Sequence, residues 1–210
     1  TDSSLTEDTN LSASGKMDVE AVATAALPAM VQLNGTTTVK SSSYFGYGQS
    51  YEATSSGTGI IVGKSDTELL IVTNAHVVDN IDNLKCVFSD GTSASCSVKG
   101  SKSDQDIAVA AVSLSDISSD TASNIAIAEL EDSSDIKVGQ QVVAIGNALG
   151  EGQSVTTGII SAKDRSITVN NVTFTGLLMT DAAINSGNSG GALLNSEGKV
   201  IAINFAKTSS

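Results

Sequence analysis

The property that most restricts the fold of this 210-residue chain is a succession of short apolar segments with few helical patterns between them. Most of these segments are rich in β-branched residues and are bounded by Gly, Asn, Asp or Ser, which is typical of strands. The predicted strands form two series, at 29–33, 59–63, 69–73, 84–88, 93–99 and 107–112, and then at 141–145, 154–161, 166–169, 173–179, 191–194 and 200–205. Two such series predict an all-β fold with two packed antiparallel β-barrels.

The remaining segments define the domain organisation. Residues 1–16 are polar and acidic, and we expect them to be a flexible linker. Residues 17–115 are predicted to form the N-terminal barrel with a short leading helix that Pro28 ends. Residues 116–137 carry clusters of Ser and Asp and are predicted to connect the halves, and residues 138–210 are predicted to form the C-terminal barrel.

The composition disfavours several classes of partner. Aromatic residues make up 3% of the chain and apolar residues 40%, so the interior must be built from Val, Ile, Leu and Ala. The 23 acidic and 11 basic side chains give a net charge of −12, which disfavours nucleic acid and anionic membrane surfaces. No apolar run reaches the roughly 18 residues of a membrane span. The sequence has no His/Cys cluster with metal-ligand spacing, so we expect no metal and no cofactor.

The two cysteines flank an Asp-Gly pair, which is typical of a hairpin turn. A three-residue loop at 90–92 would place Cys86 opposite Cys96, and the two thiols would then be placed to form a cross-strand disulfide. A two-residue Asp-Gly turn would instead place Cys86 opposite Ser95. A disulfide would imply an oxidising compartment, and the alternative is a pair of half-buried thiols.

Three residues at segment boundaries are candidates for catalysis. His76 is the only histidine of the chain and follows a predicted strand, so it is the one imidazole available as a general base. Asp106 begins an apolar segment that would draw its carboxylate inward, although nearby Asp104 is an alternative. Ser189 lies within the sequence Gly-Asn-Ser-Gly-Gly at 187–191.

Each of these features has an ordinary alternative when it is taken alone. The histidine would then be a satisfied core or rim residue, the aspartate would cap its own turn, and the glycine-rich segment would be a simple turn. Together, however, they follow the order His, Asp, Ser of chymotrypsin-type hydrolases, in which a serine attacks, a histidine takes its proton and an aspartate holds the histidine tautomer. We therefore predict that His76, Asp106 and Ser189 form a catalytic triad.

The residues around the candidate nucleophile also predict an oxyanion hole. Glycines permit a tight turn that exposes the serine hydroxyl and directs backbone N–H groups into one concavity. The backbone of Gly187, Asn188 and Ser189 is the predicted hole, with the N–H groups of Gly187 and Ser189 as the first candidates. Each such donor typically stabilises the tetrahedral intermediate by about 3–4 kcal/mol.

Five blocks carry a resemblance to a known family: SGTGIIV at 56–62, TNAHVV at 73–78, DIAV at 106–109, GNALG at 146–150 and TDAAINSGNSGGAL at 180–193. In sequence and order they resemble the HtrA family of serine proteases, and the Gram-positive members most of all. The resemblance implies a two-barrel, trypsin-like serine endopeptidase domain that uses the triad named above. It also implies a role outside the cytoplasm in degrading unfolded or damaged proteins.

Family members commonly form trimers through N-terminal segments that contain aromatic residues. The resemblance therefore implies that Tyr44, Phe45 and Tyr47 contribute to a homotrimer, and the alternative is an exposed glycine-rich loop. The acidic leader stands where the family has a linker from a membrane anchor, so anchoring through an earlier segment is expected.

The chain also departs from the family. Ala148, Ser186 and Ala192 stand where proline is usual, and we expect looser loops there. The sequence ends at Ser210, whereas the family continues with another strand, a helix and peptide-binding PDZ domains. The second barrel is therefore expected to be truncated at its C-terminus, with no PDZ domain present.

Substrate preference follows from the resemblance at two places. Trypsin-like digestive enzymes that select Lys or Arg have an acidic residue six positions before the nucleophile, where this chain has Ala183. We therefore expect a small apolar pocket that accepts Val, Ala, Ile or Leu before the cut. Ile203, Asn204 and Phe205 are expected to supply the edge that pairs with an extended substrate.

The polar segment 163–176, which contains Arg165, resembles the loop that switches these enzymes on. An ordinary flexible connection is the alternative. As a switch, it would leave the isolated domain in a resting state with misaimed oxyanion N–H groups.

Two other functions use the same residues. The first is a resting or inactive chaperone or sensor that binds unfolded polypeptides on a protease fold. The second is an esterase, because an oxyanion hole does not distinguish esters from amides. Labelling of Ser189 by a fluorophosphonate would separate an enzyme from a binding protein.

Overall fold

The computed structural model describes residues 17–40, 50–147, 153–169, 171–185 and 187–205. Several sequence predictions concern positions outside the described residues: the linker at 1–16, the aromatic residues Tyr44, Phe45 and Tyr47, and the loop positions Ala148 and Ser186.

The first series of strands forms a closed antiparallel barrel with the order β1-β2-β3-β6-β5-β4. Its strands are β1 (Met30–Lys40), β2 (Ser50–Lys64), β3 (Glu68–Thr73), β4 (Asn83–Val87), β5 (Ser93–Lys102) and β6 (Ile107–Ser113). Alternate residues of β3 are buried, as period-2 patterning requires, and Leu69 and Ile71 point into the barrel with at most 1% exposure. The sequence located every one of these strands, although β1 and β2 extend well beyond their predicted bounds.

The second series forms an antiparallel sheet with the order β11-β10-β7-β8-β9. Its strands are β7 (Gln141–Asn147), β8 (Gln153–Val169), β9 (Val172–Thr180), β10 (Ala192–Leu194) and β11 (Val200–Ile203). In the described ranges this sheet has five strands and not six. The prediction of an all-β fold in two antiparallel halves is confirmed.

Three short α-helices occur in the described part of the chain: α1 (Val19–Ala26), α2 (Ala75–Val78) and α3 (Ser119–Asn124). Helix α1 begins after Asp18, whose carboxylate accepts a hydrogen bond from the backbone N–H of Ala21 (3.0 Å). Such an N-cap contributes about 1 kcal/mol. The helix gives way to a 3₁₀ turn (Leu27–Ala29) that contains Pro28. None of the helices in these ranges is both long and apolar enough to cross a bilayer.

A shared apolar cluster packs the two halves together. Met30 and Ile60 from the first barrel contact Val143 and Ile145 of β7, and helix α1 covers the same cluster. The other face of β7 carries Val142 and Ala144, which belong to a separate core inside the second sheet. Because β7 is buried on both faces, it fixes the position of the second sheet against the barrel.

The cysteine hairpin has neither of the two predicted registers. Cys86 lies opposite Ala94 and Cys96 lies opposite Leu84, because the loop occupies 89–91, one residue earlier than the three-residue loop we expected. The backbone N–H of Phe88 donates to the carbonyl oxygen of Thr92 (2.9 Å) and closes this loop. Both cysteines are free thiols in this arrangement, so the cross-strand disulfide is not formed.

The described part of segment 163–176 lies in β8 and β9, which pair as a long antiparallel hairpin. Its role as a switch stays a prediction. Arg165 lies on β8 opposite Leu177 and is exposed. Three register irregularities between residues 160 and 167 let the strand continue through a stretch with little strand pattern.

Candidate active site

His76 occupies the single turn of helix that follows β3. Val77 and Val78 of this turn are buried and anchor it in the core of the first barrel. The backbone N–H of Ala75 and the side-chain Nδ2 of Asn74 both donate to the carbonyl oxygen of Asp106, each at 3.1 Å. The histidine turn is therefore tied to the start of β6, and its imidazole stays 30% exposed at the rim.

The carboxylate of Asp106 holds His76 through two hydrogen bonds. Its Oδ2 lies 2.6 Å from His76 Nδ1, and its Oδ1 accepts the backbone N–H of His76 at 2.9 Å. An ionised carboxylate only accepts, so Nδ1 carries the imidazole proton and Nε2 is left as the acceptor. That is the tautomer a general base needs.

Asp106 is the buried member of the two candidate aspartates. Asp106 is 2% exposed, whereas Asp104 is exposed and faces Lys102 on the surface at 3.9 Å. The backbone of Asp106 has φ +53°, a left-handed conformation that turns the chain sharply into β6. The structure brings Asp106, and not Asp104, to the histidine.

The loop that carries Ser189 is bound to strand β2 of the first barrel. Thr58 donates its backbone N–H to the carbonyl oxygen of Ser189 (2.9 Å) and its hydroxyl to that of Gly187 (3.1 Å). On the other side of the loop, the N–H of Gly190 donates to the carbonyl oxygen of Asn204 (3.0 Å). Ser189 is only 2% exposed, and these bonds hold the predicted nucleophile in a defined place.

Gly57 is the point at which the histidine turn and the serine loop approach each other. A Cβ atom at this position would lie 2.7 Å from Val77 Cγ2 and 3.3 Å from the carbonyl oxygen of Ser189. Val77 is the direct neighbour of His76. Strand β2 thus brings the backbone of the predicted nucleophile beside the turn that carries the predicted base.

The predicted oxyanion donors are partly engaged within their own loop. The N–H of Gly187 donates to Asn185 Oδ1 (3.2 Å), and the N–H of Asn188 donates to the backbone carbonyl oxygen of Asn185 (3.0 Å). In the described conformation the N–H of Asn188 is therefore bonded within its own loop, and its part in an oxyanion hole stays a prediction. The N–H of Gly187 would have to leave Asn185 Oδ1 before it could donate to the oxyanion of a substrate.

The buried side chain of Asn188 has a different place, which the sequence did not reveal. Its Nδ2 donates to the carbonyl oxygen of Ala183 (3.0 Å), and its Oδ1 accepts the hydroxyl of Ser154 (2.9 Å). Thr156 donates a second hydrogen bond to the same Ala183 carbonyl (3.0 Å). The residue six positions before the predicted nucleophile is thus held by two polar, uncharged side chains, and Ser154 in turn bonds to one of them, Asn188.

The predicted substrate edge is only partly open. The backbone N–H of Asn204 donates to Gly191 and its carbonyl accepts from Gly190, while its side chain donates to Ile145 and Ala192. The backbone and side chain of Asn204 are therefore bonded within the domain, and pairing of a substrate with Ile203, Asn204 and Phe205 stays a prediction. The ring of Phe205 lies 6.3 Å from the His76 ring.

The described residues contain no group of three or more His, Cys, Asp and Glu side chains that would hold a metal ion. The site is made of one imidazole, one carboxylate, one alcohol and backbone amides. These are the groups of nucleophilic catalysis by a serine.

Comparison with known proteins points in the same direction. A family model described as a trypsin-like peptidase domain matches residues 57–203. The serine protease Do-like HtrA of Bacillus subtilis is 37% identical over 191 residues, which are 87% of this chain and 41% of that protein. The periplasmic serine endoprotease DegP of Salmonella typhimurium is 41% identical over 160 residues, 76% of this chain and 31% of that protein.

Solved structures agree with the sequence comparison. An HtrA-type protease, AlgW with a tripeptide, has a TM-score of 0.70 at 32% identity and covers 89% of this chain and 53% of its own. AlgW with a decapeptide has a TM-score of 0.70 at 31% identity and covers 91% and 59%. The chain spans less than half the length of the two relatives named above. It belongs to the trypsin-like peptidases and is a protease domain of the HtrA type.

Proposed function

We propose that this domain is a serine endopeptidase that cleaves unfolded or damaged proteins with Ser189, His76 and Asp106. The observation that carries the proposal is the pair of hydrogen bonds that His76 donates to the carboxylate of Asp106, at a rim to which Thr58 binds the loop of Ser189. A buried carboxylate on Nδ1 prepares the imidazole to accept a proton at Nε2.

The reaction proceeds in two halves. The Ser189 hydroxyl attacks the scissile carbonyl carbon while His76 takes its proton, and the backbone N–H groups of Gly187 and Ser189 stabilise the oxyanion. His76 then protonates the leaving amine as the carbon–nitrogen bond breaks. A water molecule, deprotonated by His76, attacks the acyl-enzyme. The ester bond to Ser189 then breaks, His76 returns the proton to the serine oxygen, and the carboxylate product leaves.

The pocket before the cut is proposed to favour Val, Ala, Ile or Leu. Ala183 is exposed at the position that selects the substrate side chain, and the side chains bonded to its carbonyl, Thr156 and Asn188, carry no charge. A substrate Lys or Arg would find no carboxylate among them. Small aliphatic side chains lose nothing by entering such a pocket.

A single assay tests the activity, the nucleophile and the pocket. Wild-type protein is incubated with unfolded casein, and the cut sites are mapped by mass spectrometry; a fluorophosphonate probe reports on the serine. We expect cleavage after small aliphatic residues and covalent labelling, both abolished by Ser189→Ala. Ser97→Ala, which changes an exposed serine of β5, is the matched control and should cleave normally. Cleavage after Lys that exceeds cleavage after Val would overturn the pocket assignment.

A second candidate function is a resting chaperone or sensor that binds unfolded chains without cutting them. It is favoured by the hydrogen bond from the N–H of Gly187 to Asn185 Oδ1, because this donor is then unavailable to an oxyanion. Persistent failure of the fluorophosphonate to label Ser189, together with protection of casein from aggregation, would select this function over the protease.

We also propose a location outside the cytoplasm, which the periplasmic names of several relatives support. Anchoring to a membrane through an earlier segment, and homotrimer formation through Tyr44, Phe45 and Tyr47, belong to the same proposal. Light scattering on a size-exclusion column would measure the assembly, and a triple change of these aromatics to Ser should give monomers.

A further inference from the structure

Two phenylalanine rings connect the β8–β9 hairpin to His76. The ring of Phe174, from β9, lies 5.1 Å from the ring of Phe205 at an angle of 53°. The ring of Phe205 in turn lies 6.3 Å from the imidazole of His76 and is nearly perpendicular to it, at 88°. Both distances fall in the range in which aromatic rings attract each other.

Phe174 is the one buried position of strand β9, with 5% of its surface exposed. The arm of β8 that pairs with this part of β9, residues 164–168, is exposed throughout. The outer hairpin is therefore held against the rest of the domain at this point mainly by one phenylalanine. Burial of such a side chain contributes about 2–3 kcal/mol.

His76 needs a second contact besides Asp106 to fix its ring. The 2.6 Å bond to Asp106 restrains the imidazole only at Nδ1, and rotation of an aromatic side chain about its last torsion is broad. A perpendicular ring beside the imidazole limits this rotation. Phe205 is half-buried, and Phe174 lies against its ring.

We propose that Phe174 is a positioning residue for this reaction: acting through Phe205, it holds the imidazole of His76 in its reactive orientation. The orientation of the general base therefore depends on the docking of the β8–β9 hairpin. The inference rests on the proposed function, since it requires His76 to be that base.

The chain offers a direct reporter, because His76 is its only histidine. NMR of the imidazole protons and nitrogens therefore gives one set of signals and needs no turnover. Phe174→Leu removes the ring and keeps an apolar side chain, and Phe174→Tyr retains the ring. Phe88→Leu is the matched control, since Phe88 is 4% exposed and belongs to the core of the first barrel.

We expect Phe174→Leu to move the histidine signals at temperatures where the protein is folded. It should lower kcat about 10-fold with KM changed less than about twofold, because a misplaced base slows the chemical step. Phe174→Tyr should restore the signals and most of kcat. Phe88→Leu should lower the Tm yet leave the signals and kcat as they are.

Three results would overturn the proposal. Histidine signals that stay in place in Phe174→Leu would show that the ring of Phe174 does not affect the imidazole of His76. Moved signals with unchanged kcat would show that the contact has no consequence for the reaction. A raised KM with unchanged kcat would make Phe174 part of a substrate subsite. If Phe174→Leu does not fold, Phe205→Leu removes the middle ring and is judged by the histidine signals and kcat alone, because Phe205 also lies at the predicted substrate edge.

An inert wild-type protein is a separate outcome. Unlabelled Ser189 in the wild type would reject the proposed protease, whereas the histidine signals would still show whether the three rings are in contact.

Discussion

At Asp106, the backbone carbonyl and the side-chain carboxylate both accept hydrogen bonds from the turn that carries His76. The carbonyl oxygen accepts two hydrogen bonds from Asn74 and Ala75, and the carboxylate accepts two from His76. The left-handed backbone, with φ +53°, lets one residue direct all four toward the histidine turn. A non-glycine residue in this conformation is strained by about 1–3 kcal/mol, and these bonds offset that strain.

Asp106→Asn should abolish most of the activity without unfolding the protein. The amide places an N–H donor or a weaker acceptor beside Nδ1, so the imidazole loses the tautomer that leaves Nε2 free. We expect kcat on a peptide substrate to fall by about 10⁴-fold with little change in KM. Asp104→Asn, at an exposed position, is the control; a similar loss there would contradict the assignment of the triad.

Gly190 is a second residue at which backbone and site depend on each other. Its φ is +83°, and a Cβ atom would overlap the carbonyl oxygen of Thr58 and the hydroxyl of Thr73. Gly190→Ala should therefore push the serine loop away from strand β2. We expect a loss of more than about 2 kcal/mol in the free energy of unfolding, measured in urea, and no detectable cleavage of casein.

Gly198 provides the matched control for this change. It has a similar φ of +78°, but a Cβ atom there would meet nothing within 4 Å. Gly198→Ala should cost only the backbone strain, about 1 kcal/mol, and leave cleavage intact. Equal losses in the two variants would show that contact with Thr58 and Thr73 is unimportant.

At the level of elements, the hairpin β8–β9 shows where local sequence is a weak guide. The stretch Ala-Lys-Asp-Arg at 162–165 has no strand pattern, so two short strands and a loop were predicted. The structure has one continuous strand, with Asp164 in a left-handed conformation (φ +54°) and register shifts on both sides. Pairing with β9 decides the outcome, and pairing between distant segments is not encoded in local propensity.

Asn204 joins three strands of the second sheet. Its side-chain N–H groups donate to the carbonyl oxygens of Ile145 in β7 (3.2 Å) and Ala192 in β10 (3.0 Å), and the residue is 4% exposed. Asn204→Asp replaces both donors with a carboxylate that faces two carbonyl oxygens. We expect it to lower the free energy of unfolding by about 3 kcal/mol or more.

The same change at an exposed site should be almost neutral. Asn124 lies in helix α3 and donates one hydrogen bond to Asp120 at the surface (3.0 Å). Asn124→Asp should change the free energy of unfolding by about 0.5 kcal/mol or less in the same urea titration. A small effect at Asn204 would show that its two bonds do not hold the sheet.

For the whole molecule, the sequence located the strands of both halves, and it named His76 and Asp106, which the structure joins by hydrogen bonds. His76, Asp106 and Ser189 were recognisable because each stands at a segment boundary and within a specific motif. The hydrogen bonds that join the halves were not predictable, since Thr58 looks like an ordinary polar residue of a strand, and its bond to Gly187 spans more than 100 residues of sequence. Asn188 looks like an ordinary turn residue, and its bonds to Ala183 and Ser154 within the second half depend on how the loop folds.

The cysteine pair gives a prediction about the folded molecule as a whole. Burial raises the pKa of the Cys96 thiol to about 11 and raises that of Cys86 further. Because the thiolate is the reactive form, alkylation of Cys96 at pH 8 should be roughly 100-fold slower in the folded protein than in urea, and it should accelerate up to pH 11. Mass spectrometry of iodoacetamide adducts measures this, with Cys86→Ser to assign the site. Fast labelling at pH 8 would contradict the burial of this thiol.

The hydrogen bonds from Thr58 to the serine loop form only when both halves are folded, and this limits what an incompletely folded chain can do. The predicted nucleophile and the predicted base come from different halves, so we expect a molecule with only one half folded to cut no peptide bond. Newly made or partly unfolded copies would then not cleave one another. Activity would arise only with complete folding, which also protects each copy from cleavage.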